Sequence, residues 1–266
     1  MRVYVMTDLE GTAGVLSADD YIFRGSCYLP LARRLATQEV NAAVEGALEA
    51  GATEVLVMDG HGVGGLDWRF IHPRAQLLAG RPLDYPFGLT SDFDAVMFVG
   101  QHAMSNTDGG HLCHTGSFAI EEQVLNGIAI GELAEFMMCA SCLDVPVVTV
   151  TGDAAACAEA TCLVPEIQTA AVKVGIRRGS ASGLTEDENR LYNGAAVHLS
   201  PAAAREAIRE AARRGLSGRL EMGLYWVGPP YEMVYRYRAR RHGRPPDLVS
   251  RGRDYMAVLN RAGQSL

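Results

Sequence analysis

Short apolar runs alternate along the first part of the chain with longer segments whose apolar residues recur at helical spacing. Four such runs occur, at residues 2–6, 54–58, 95–99 and 145–150. Their length and continuous apolar character are typical of strands buried on both faces of a parallel sheet. Residues 31–50, between the first two runs, have apolar side chains every three or four positions and are followed by Gly51, a typical helix stop. This order predicts an α/β protein with a mostly parallel, open sheet and flanking helices.

Residues 124–130 have a different pattern. Apolar residues alternate there on both sides of Asn126-Gly127. This dipeptide is the strongest short-range signal of a two-residue hairpin turn. We therefore predict a small antiparallel element at this point of the chain.

Beyond about residue 183 the regular alternation ends. The segments that follow are a helical pattern at 201–214, two short segments at 220–226 and 231–238, and a last helical pattern from Asp254. We predict two domains on this change, an α/β catalytic domain at 1–183 and a smaller C-terminal α+β domain at 184–266. The smaller domain is expected to serve substrate access or oligomerisation.

Acidic and imidazole side chains follow three of the predicted strands. Asp8 and Glu10 come at the end of the first, His61 follows the second and His102 follows the third. Because ligands of open α/β sheets bind at the carboxyl ends of the strands, we expect these side chains to share one site. Glu132 joins them from the start of the next predicted helix. Imidazole and carboxylate ligands suit zinc, and close carboxylates need a cation to stay ionised together, so the pattern predicts a metal site.

Ordinary structural roles are the alternative for each of these residues. Asp8 and Glu10 could cap a helix, and a single His61 is often a hydrogen-bonded loop residue. The convergence of four potential ligands after three successive strands favours the metal site instead. Asp59 is a candidate hydrogen-bond partner for one of the imidazoles.

Composition narrows the classes of function. The 266 residues have a formal net charge of -7, which argues against nucleic-acid binding because that depends on clustered Lys and Arg. No run approaches the roughly 18 apolar residues of a membrane span, and the first residues lack a secretory pattern. We expect a cytoplasmic protein with neither a nucleic-acid nor a membrane partner. Lys173 is the single lysine among 24 basic residues, which we interpret as a composition bias.

Several motifs occur in one order along residues 1–180. They are Asp8-x-Glu10-Gly11, Asp59-x-His61, Gly100-x-His102, His114-x-x-x-Phe118 and Gly131-Glu132. This order resembles the zinc-dependent D-aminopeptidase family, peptidase family M55. The resemblance implies a metallo-aminopeptidase that hydrolyses short peptides or amino acid amides, with a D-amino acid preference. It also implies a ring-based homo-oligomer, described for the family as a homodecamer.

The same resemblance assigns roles within the site. It implies two Zn²⁺ ions per chain, and the residues that match the family's ligands are Asp8, Glu10, His61, His102 and Glu132, with the aspartate shared by both ions. It further implies that His114 is the catalytic residue. Whether His114 acts as a covalent nucleophile or as a general base is left open by the residues themselves.

The chain departs from the family pattern between His102 and His114. This segment is one residue longer and contains another imidazole, His111, after two glycines. We assign the chemistry to His114 because Thr115 and Phe118 follow it in the family register. His111 is predicted to be a polar loop residue. His72 is predicted to be structural, and His198 and His242 are placed outside the constellation.

Two other classes of function remain alternatives. One is a nucleoside phosphorylase-like or other non-peptidase α/β enzyme, although no G-x-G-x-x-G follows the first strand and no P-loop occurs. The other is a catalytically inactive assembly protein, although every ligand position of the family is filled. Metal analysis separates the first from the aminopeptidase, and a peptidase assay separates the second.

Overall fold

The computed structural model describes residues 1–240 and 243–263, and its main feature is a seven-stranded sheet. The strands are β1 (Arg2–Thr7), β2 (Glu54–Asp59), β3 (Ala75–Leu78), β4 (Ala95–Gln101), β7 (Val147–Asp153), β8 (Gln168–Gly175) and β9 (Ala196–His198). Their order across the sheet is β3-β2-β1-β4-β7-β8-β9. Every neighbouring pair is parallel except β8 with β9. The predicted α/β class with a mostly parallel open sheet is confirmed.

A second, antiparallel sheet lies beside the first. Its strands are β5 (Ile120–Leu125), β6 (Ile128–Ile130), β10 (Tyr231–Tyr237) and β11 (Leu248–Gly252), in the order β11-β10-β5-β6. Strands β5 and β6 form the predicted hairpin. Asn126 and Gly127 both have positive φ, at 50° and 84°, as the favoured two-residue hairpin turn requires.

Helices cover both faces of the large sheet. They are α1 (Ala18–Tyr21), α2 (Leu29–Glu49), α3 (Glu132–Ser141), α4 (Ala154–Leu163), α5 (Glu186–Tyr192), α6 (Pro201–Ser217) and α7 (Tyr255–Gly263). Helices α2 and α6 pack together in the hydrophobic core of one face. Helices α3, α4 and α7 and the small sheet enclose the core of the other face. In the part of the chain that the structure describes, no helix is long and apolar enough to cross a membrane.

The segment after residue 183 contributes to both sheets. Strand β9 extends the large sheet next to β8, and α6 packs on α2. Strand β10 lies between β11 and β5, so the small sheet joins both parts of the chain. The domain boundary at residue 183 and the role given to the C-terminal part stay predictions.

The order of the strands creates a switch point next to β1. The chain continues from β1 to β2 and β3 on one side, and β4 then pairs with the other side of β1. The loop after β1 rests directly on β4, because Asp8 N donates to Val99 O and Gly11 N to Gly100 O. A Cβ on Gly11 would lie 2.2 Å from the carbonyl oxygen of Gln101, so only glycine permits this approach. Ligands of open α/β sheets bind at such a point.

Candidate metal centre

The five residues predicted as metal ligands lie together at this switch point. His61 Nδ1 is 3.2 Å from Asp8 Oδ1 and 3.2 Å from Glu10 Oε2. His102 Nε2 is 3.1 Å from Asp8 Oδ2 and 3.4 Å from Glu132 Oε1. Asp8 therefore faces one imidazole with each of its two carboxylate oxygens.

His114, the predicted catalytic residue, lies within the same cluster. Its Nε2 is 3.7 Å from Glu132 Oε1 and 4.0 Å from Glu10 Oε1. Its ring is stacked between His102 and Phe118, at centroid distances of 4.0 Å and 4.3 Å. The six side chains form two groups with metal-ligand spacing, namely Asp8, Glu10 and His61, and His102, His114 and Glu132. The structure thus places His114 among ligand atoms, and its catalytic role stays a prediction.

Each of the three imidazoles is oriented by a backbone carbonyl. One ring nitrogen of each lies 2.9 Å from a carbonyl oxygen, which is Ile22 O for His61 Nε2, Ala103 O for His102 Nδ1 and Leu112 O for His114 Nδ1. Because a carbonyl only accepts, that nitrogen carries hydrogen. The other nitrogen of each ring is directed at the carboxylates. A backbone partner that fixes the tautomer in this way is typical of metal-binding histidines.

Two buried atoms of the cluster have short contacts that are not hydrogen bonds. Among the described residues, His102 Nε2 and Glu10 Oε2 have no partner with hydrogen-bond geometry. Yet His102 Nε2 lies 3.1 Å from the carboxylate oxygen Asp8 Oδ2, and Glu10 Oε2 lies 3.2 Å from the imidazole nitrogen His61 Nδ1. Ligand atoms that bind the same cation lie at such short distances from each other without a hydrogen bond between them. The nitrogen and oxygen donors also match the ligands that zinc takes in catalytic sites, so these residues fit the predicted metal.

The charges of the cluster stabilise one another against burial. Burial disfavours ionised Asp8, but the adjacent imidazoles of His102 and His61 hold its pKa well below the usual value. Burial also disfavours charged His102, but Glu132 and Asp8 raise its pKa well above the usual value. For His114, burial and the neighbouring His102 lower the pKa. The cluster therefore favours an anionic Asp8 and a neutral His114.

Asp59 does not have the predicted role. Its carboxylate accepts hydrogen bonds from the backbone N–H groups of Gly65 and Leu66, at 2.7 and 3.3 Å. The three imidazoles of the cluster are oriented by backbone carbonyls instead. Asp59 thus fixes the loop that follows His61, and the prediction of a direct contact with an imidazole was wrong.

His111 is buried beneath the loop that follows Glu10 and lies outside both ligand groups. Its backbone N–H donates to Asp153, and its Nε2 lies 3.3 Å from Leu16 O. His198 Nδ1 accepts from the backbone N–H of Gly14 and is likewise apart from the groups. His242 lies outside the described residues. The ligand groups thus contain His114 and not His111, and the assignment of the chemistry to His114 stays a prediction.

A cavity of about 390 Å³ opens beside the two groups. Aromatic side chains form much of its wall, among them Tyr85, Phe87, Phe118, Phe136 and Tyr235. Glu135 and Gln123 also line it, although neither was predicted as a site residue. The spacing of Glu132 and Glu135, three residues apart on one helix, places both on the same face and was the available signal.

The fold and the cluster define an α/β enzyme whose carboxylates and imidazoles are arranged as in metal-dependent hydrolases. Comparison with known proteins narrows this class. A family model described as D-aminopeptidase matches residues 1–245, and the chain belongs to this family. A D-aminopeptidase from Bacillus subtilis (strain 168) is 35% identical over 188 residues, which are 70% of this chain and 68% of that protein. The predicted family and the assignment to the peptidases are confirmed, and a nucleoside phosphorylase-like function is not supported.

The fold also matches a solved structure. It is described as the Zn-dependent D-aminopeptidase DppA from Bacillus subtilis, a self-compartmentalizing protease. The TM-score is 0.85, with 24% sequence identity over 100% of this chain and 96% of that chain. The C-terminal part, beyond the motifs at residues 1–180, therefore shares the fold as well.

Proposed function

We propose that this protein is a dinuclear zinc-dependent aminopeptidase that hydrolyses short peptides or amino acid amides, with a preference for D-amino acids. The position of Asp8 between His61 and His102 carries the proposal, because it gives two groups of ligands one common residue. Membership in the D-aminopeptidase family supports the reaction, and the description of the solved relative supports zinc.

The chain offers ligands for two ions. Asp8, Glu10 and His61 would hold one, and Asp8, His102 and Glu132 would hold the other. When bound, the pair of ions would polarise the scissile carbonyl and lower the pKa of a water molecule. The backbone carbonyls that orient the imidazoles hold their ligand nitrogens in place before any ion binds, which favours tight binding.

His114 is proposed to move the protons of the reaction. Its Nδ1–H is bound to Leu112 O, so Nε2 is the nitrogen that can exchange a proton in the cavity. Burial and the neighbouring His102 lower its pKa, which leaves Nε2 free to accept a proton from water at neutral pH. The same nitrogen can then donate that proton to the leaving amine. We favour this role over a covalent one because an acyl-imidazole is itself readily hydrolysed.

The cavity limits the substrate to a small one. Its volume of about 390 Å³ is at the lower end of ordinary ligand pockets. Aromatic walls exclude water from the reacting bond and can contact an apolar side chain. A short peptide or an amino acid amide fits these dimensions, whereas a folded protein substrate does not.

We also propose a cytoplasmic, ring-based homo-oligomer, a homodecamer as in the family description. The solved relative's description as self-compartmentalizing supports an assembly. Large apolar side chains exposed on the single chain support it too, among them Trp68, Leu191 and Leu220, which are 73%, 76% and 88% exposed. Contacts between copies would bury such groups. The C-terminal part, which includes Leu191 and Leu220, is proposed to supply some of these contacts.

Hydrolysis of matched amides tests the proposed reaction. The purified protein should release alanine from D-alaninamide faster than from L-alaninamide. A chelator should abolish the activity, and Zn²⁺ should restore it. Protein that binds zinc but hydrolyses neither these amides nor dipeptides would instead support the catalytically inactive assembly protein.

A further inference from the structure

Glu135 lines the same cavity as the ligand groups, one helical turn beyond Glu132. Its side chain is buried, with 4% exposure. Residues three apart on a helix have Cβ atoms about 5–6 Å apart and face the same side. A second carboxylate thus lines the cavity beside the ligand groups.

Three neutral groups donate hydrogen bonds to this carboxylate. The Tyr85 hydroxyl donates to Oε1, the Gln123 amide to Oε2, and the Tyr235 hydroxyl lies 3.4 Å from Oε2. A carboxylate has about four acceptor positions, so at least one remains free. These donors hold the group in one orientation without neutralising its charge.

Glu135 has no cationic partner within the described chain. No Lys, Arg or His forms an ion pair with it there, and no cation stands among the groups that shift its pKa. Burial raises this pKa to about 7. A buried carboxylate without a counter-ion is costly, so a positive charge that enters the cavity gains a strong interaction. The aromatic rings of Phe87 and Phe136 can add cation–π attraction to an ammonium group.

We propose that Glu135, held by Tyr85, Gln123 and Tyr235, binds the free α-ammonium group of the substrate. This inference rests on the proposed aminopeptidase function. The α-ammonium is attached to the carbon next to the scissile carbonyl, so it must enter the cavity beside the ligand groups, and Glu135 lines that cavity. Glu135 would thereby restrict cleavage to the first peptide bond and exclude N-acylated chains.

The test removes the charge and keeps the shape, with Glu135→Gln. D-alanine p-nitroanilide and propionyl p-nitroanilide differ only in the ammonium group. The variant should raise KM for the alanine compound at least about 10-fold, because truncating one partner of a buried charge pair is costly. Hydrolysis of the propionyl compound should stay within about twofold. A fall in kcat that is equal for both substrates, with KM unchanged, would make Glu135 a proton carrier and overturn the proposal.

Glu159→Gln is the matched control. Glu159 is also a largely buried glutamate whose pKa burial raises to about 7, and it accepts a hydrogen bond from Met104 N. It does not line the cavity. This variant should leave the ratio between the two substrates unchanged. An equal change of the ratio in both variants would indicate a general effect of buried charge and contradict the assignment.

A binding measurement separates this inference from the proposed function. Benzylamine and benzyl alcohol have nearly the same shape, and calorimetry on the zinc-loaded protein gives their affinities. The wild type should bind the amine at least about 10-fold more tightly, and Glu135→Gln should bind both alike. If this holds but no substrate is hydrolysed, the ammonium site stands and the aminopeptidase proposal fails. If the wild type hydrolyses peptides and the variant still prefers benzylamine, only the inference about Glu135 is wrong.

Discussion

The rings of His102 and His114 are stacked, with centroids 4.0 Å apart and an angle of 12° between their planes. Both direct Nε2 toward Glu132, but their neighbours differ. His102 Nε2 is 3.1 Å from Asp8, whereas the carboxylate oxygen nearest to His114 Nε2 is 3.7 Å away. Two imidazoles that are parallel and adjacent are therefore expected to do different work, one binding metal and the other moving protons.

Replacing each histidine by alanine should separate these roles. His114→Ala should lower kcat by about 100-fold or more with nearly normal metal content, because an acid–base group typically contributes that much. His102→Ala should lose both metal and activity. His111→Ala should leave the kinetics near those of the wild type. Loss of metal in His114→Ala would make His114 a ligand, and an inactive His111→Ala would overturn the register chosen for this loop.

Asp8 should determine the occupancy of both ligand groups. Asp8→Ala removes the residue that faces His61 and His102, so we expect its zinc content after dialysis to fall from about two per chain to nearly none. His61→Ala removes a ligand from one group alone and should keep about one ion. Elemental analysis by mass spectrometry measures both. Full metal content and activity in Asp8→Ala would contradict the shared-ligand assignment.

The molecular mass in solution tests the proposed assembly. A homodecamer has ten times the chain mass of 28.6 kDa. Light scattering coupled to size exclusion should report a mass near that value, since closed rings are stable over a wide concentration range. Leu220→Glu, which puts a charge on an exposed apolar position, should shift the mass to smaller species if the C-terminal part forms contacts. A stable monomer of the wild type at micromolar concentration would refute the assembly.

The sequence predicted the strands of the sheet centre because burial on both faces makes them continuously apolar. Strands β1, β2, β4 and β7 all have this property. Strand β8 does not, because the buried Lys173 interrupts it, and no strand was predicted there. The pairing of β10 with β5 joins residues more than 100 positions apart. Local patterns do not specify such partners, since strand pairing depends on packing between distant segments.

Much of the site followed from topology alone. Parallel strands bring their carboxyl ends to one edge, and this placed Asp8, His61 and His102 together. Glu135 was missed because its role depends on Tyr85 and Tyr235, which reach the cavity from distant segments. From composition alone, the single lysine indicates only a composition bias. The structure instead gives Lys173 specific backbone partners, Thr12 O and Val15 O, which composition does not reveal.

Lys173 should stabilise the loop that carries Asp8 and Glu10. Its side chain is buried, with 1% exposure, and Nζ donates to Thr12 O and Val15 O at 3.1 and 3.2 Å. Lys173→Met removes both bonds and should lower the free energy of unfolding by about 2 kcal/mol or more, because bonds to charged groups are strong. Urea denaturation at one protein concentration measures this.

Arg178→Met is the control for Lys173. Arg178 is exposed and pairs with the exposed Asp108 at 3.4 Å. Its loss should cost less than about 1 kcal/mol, as is usual for surface ion pairs. Equal stability of the two variants would show that burial of the lysine does not matter. Zinc affinity should fall in Lys173→Met and not in Arg178→Met, because Lys173 contacts the ligand-bearing loop whereas Arg178 pairs with Asp108.

Glu39 should make the stability of the fold depend on pH. It is buried in α2, and its Oε1 accepts from Ala13 N at 2.9 Å. Burial raises its pKa to about 8, although the hydrogen bond from Ala13 and the charges of Lys173 and Arg205 act in the opposite direction. The folded protein thus retains a proton that the unfolded chain loses near pH 4.5. The resulting stability is complete below that pH and is lost as the pH rises through about 8.

Glu39→Gln should remove this contribution, because an amide stays neutral at every pH. The unfolding free energy of the wild type relative to the variant should fall by up to about 1.4 kcal/mol per pH unit between pH 5 and 8, and then level off. Urea denaturation of both proteins from pH 5 to 9 gives the difference directly, and Glu45→Gln, at an exposed position of the same helix, is the control. Parallel stability profiles of the wild type and Glu39→Gln would mean that Glu39 is ionised in the folded protein throughout, with Lys173 supplying its counter-charge.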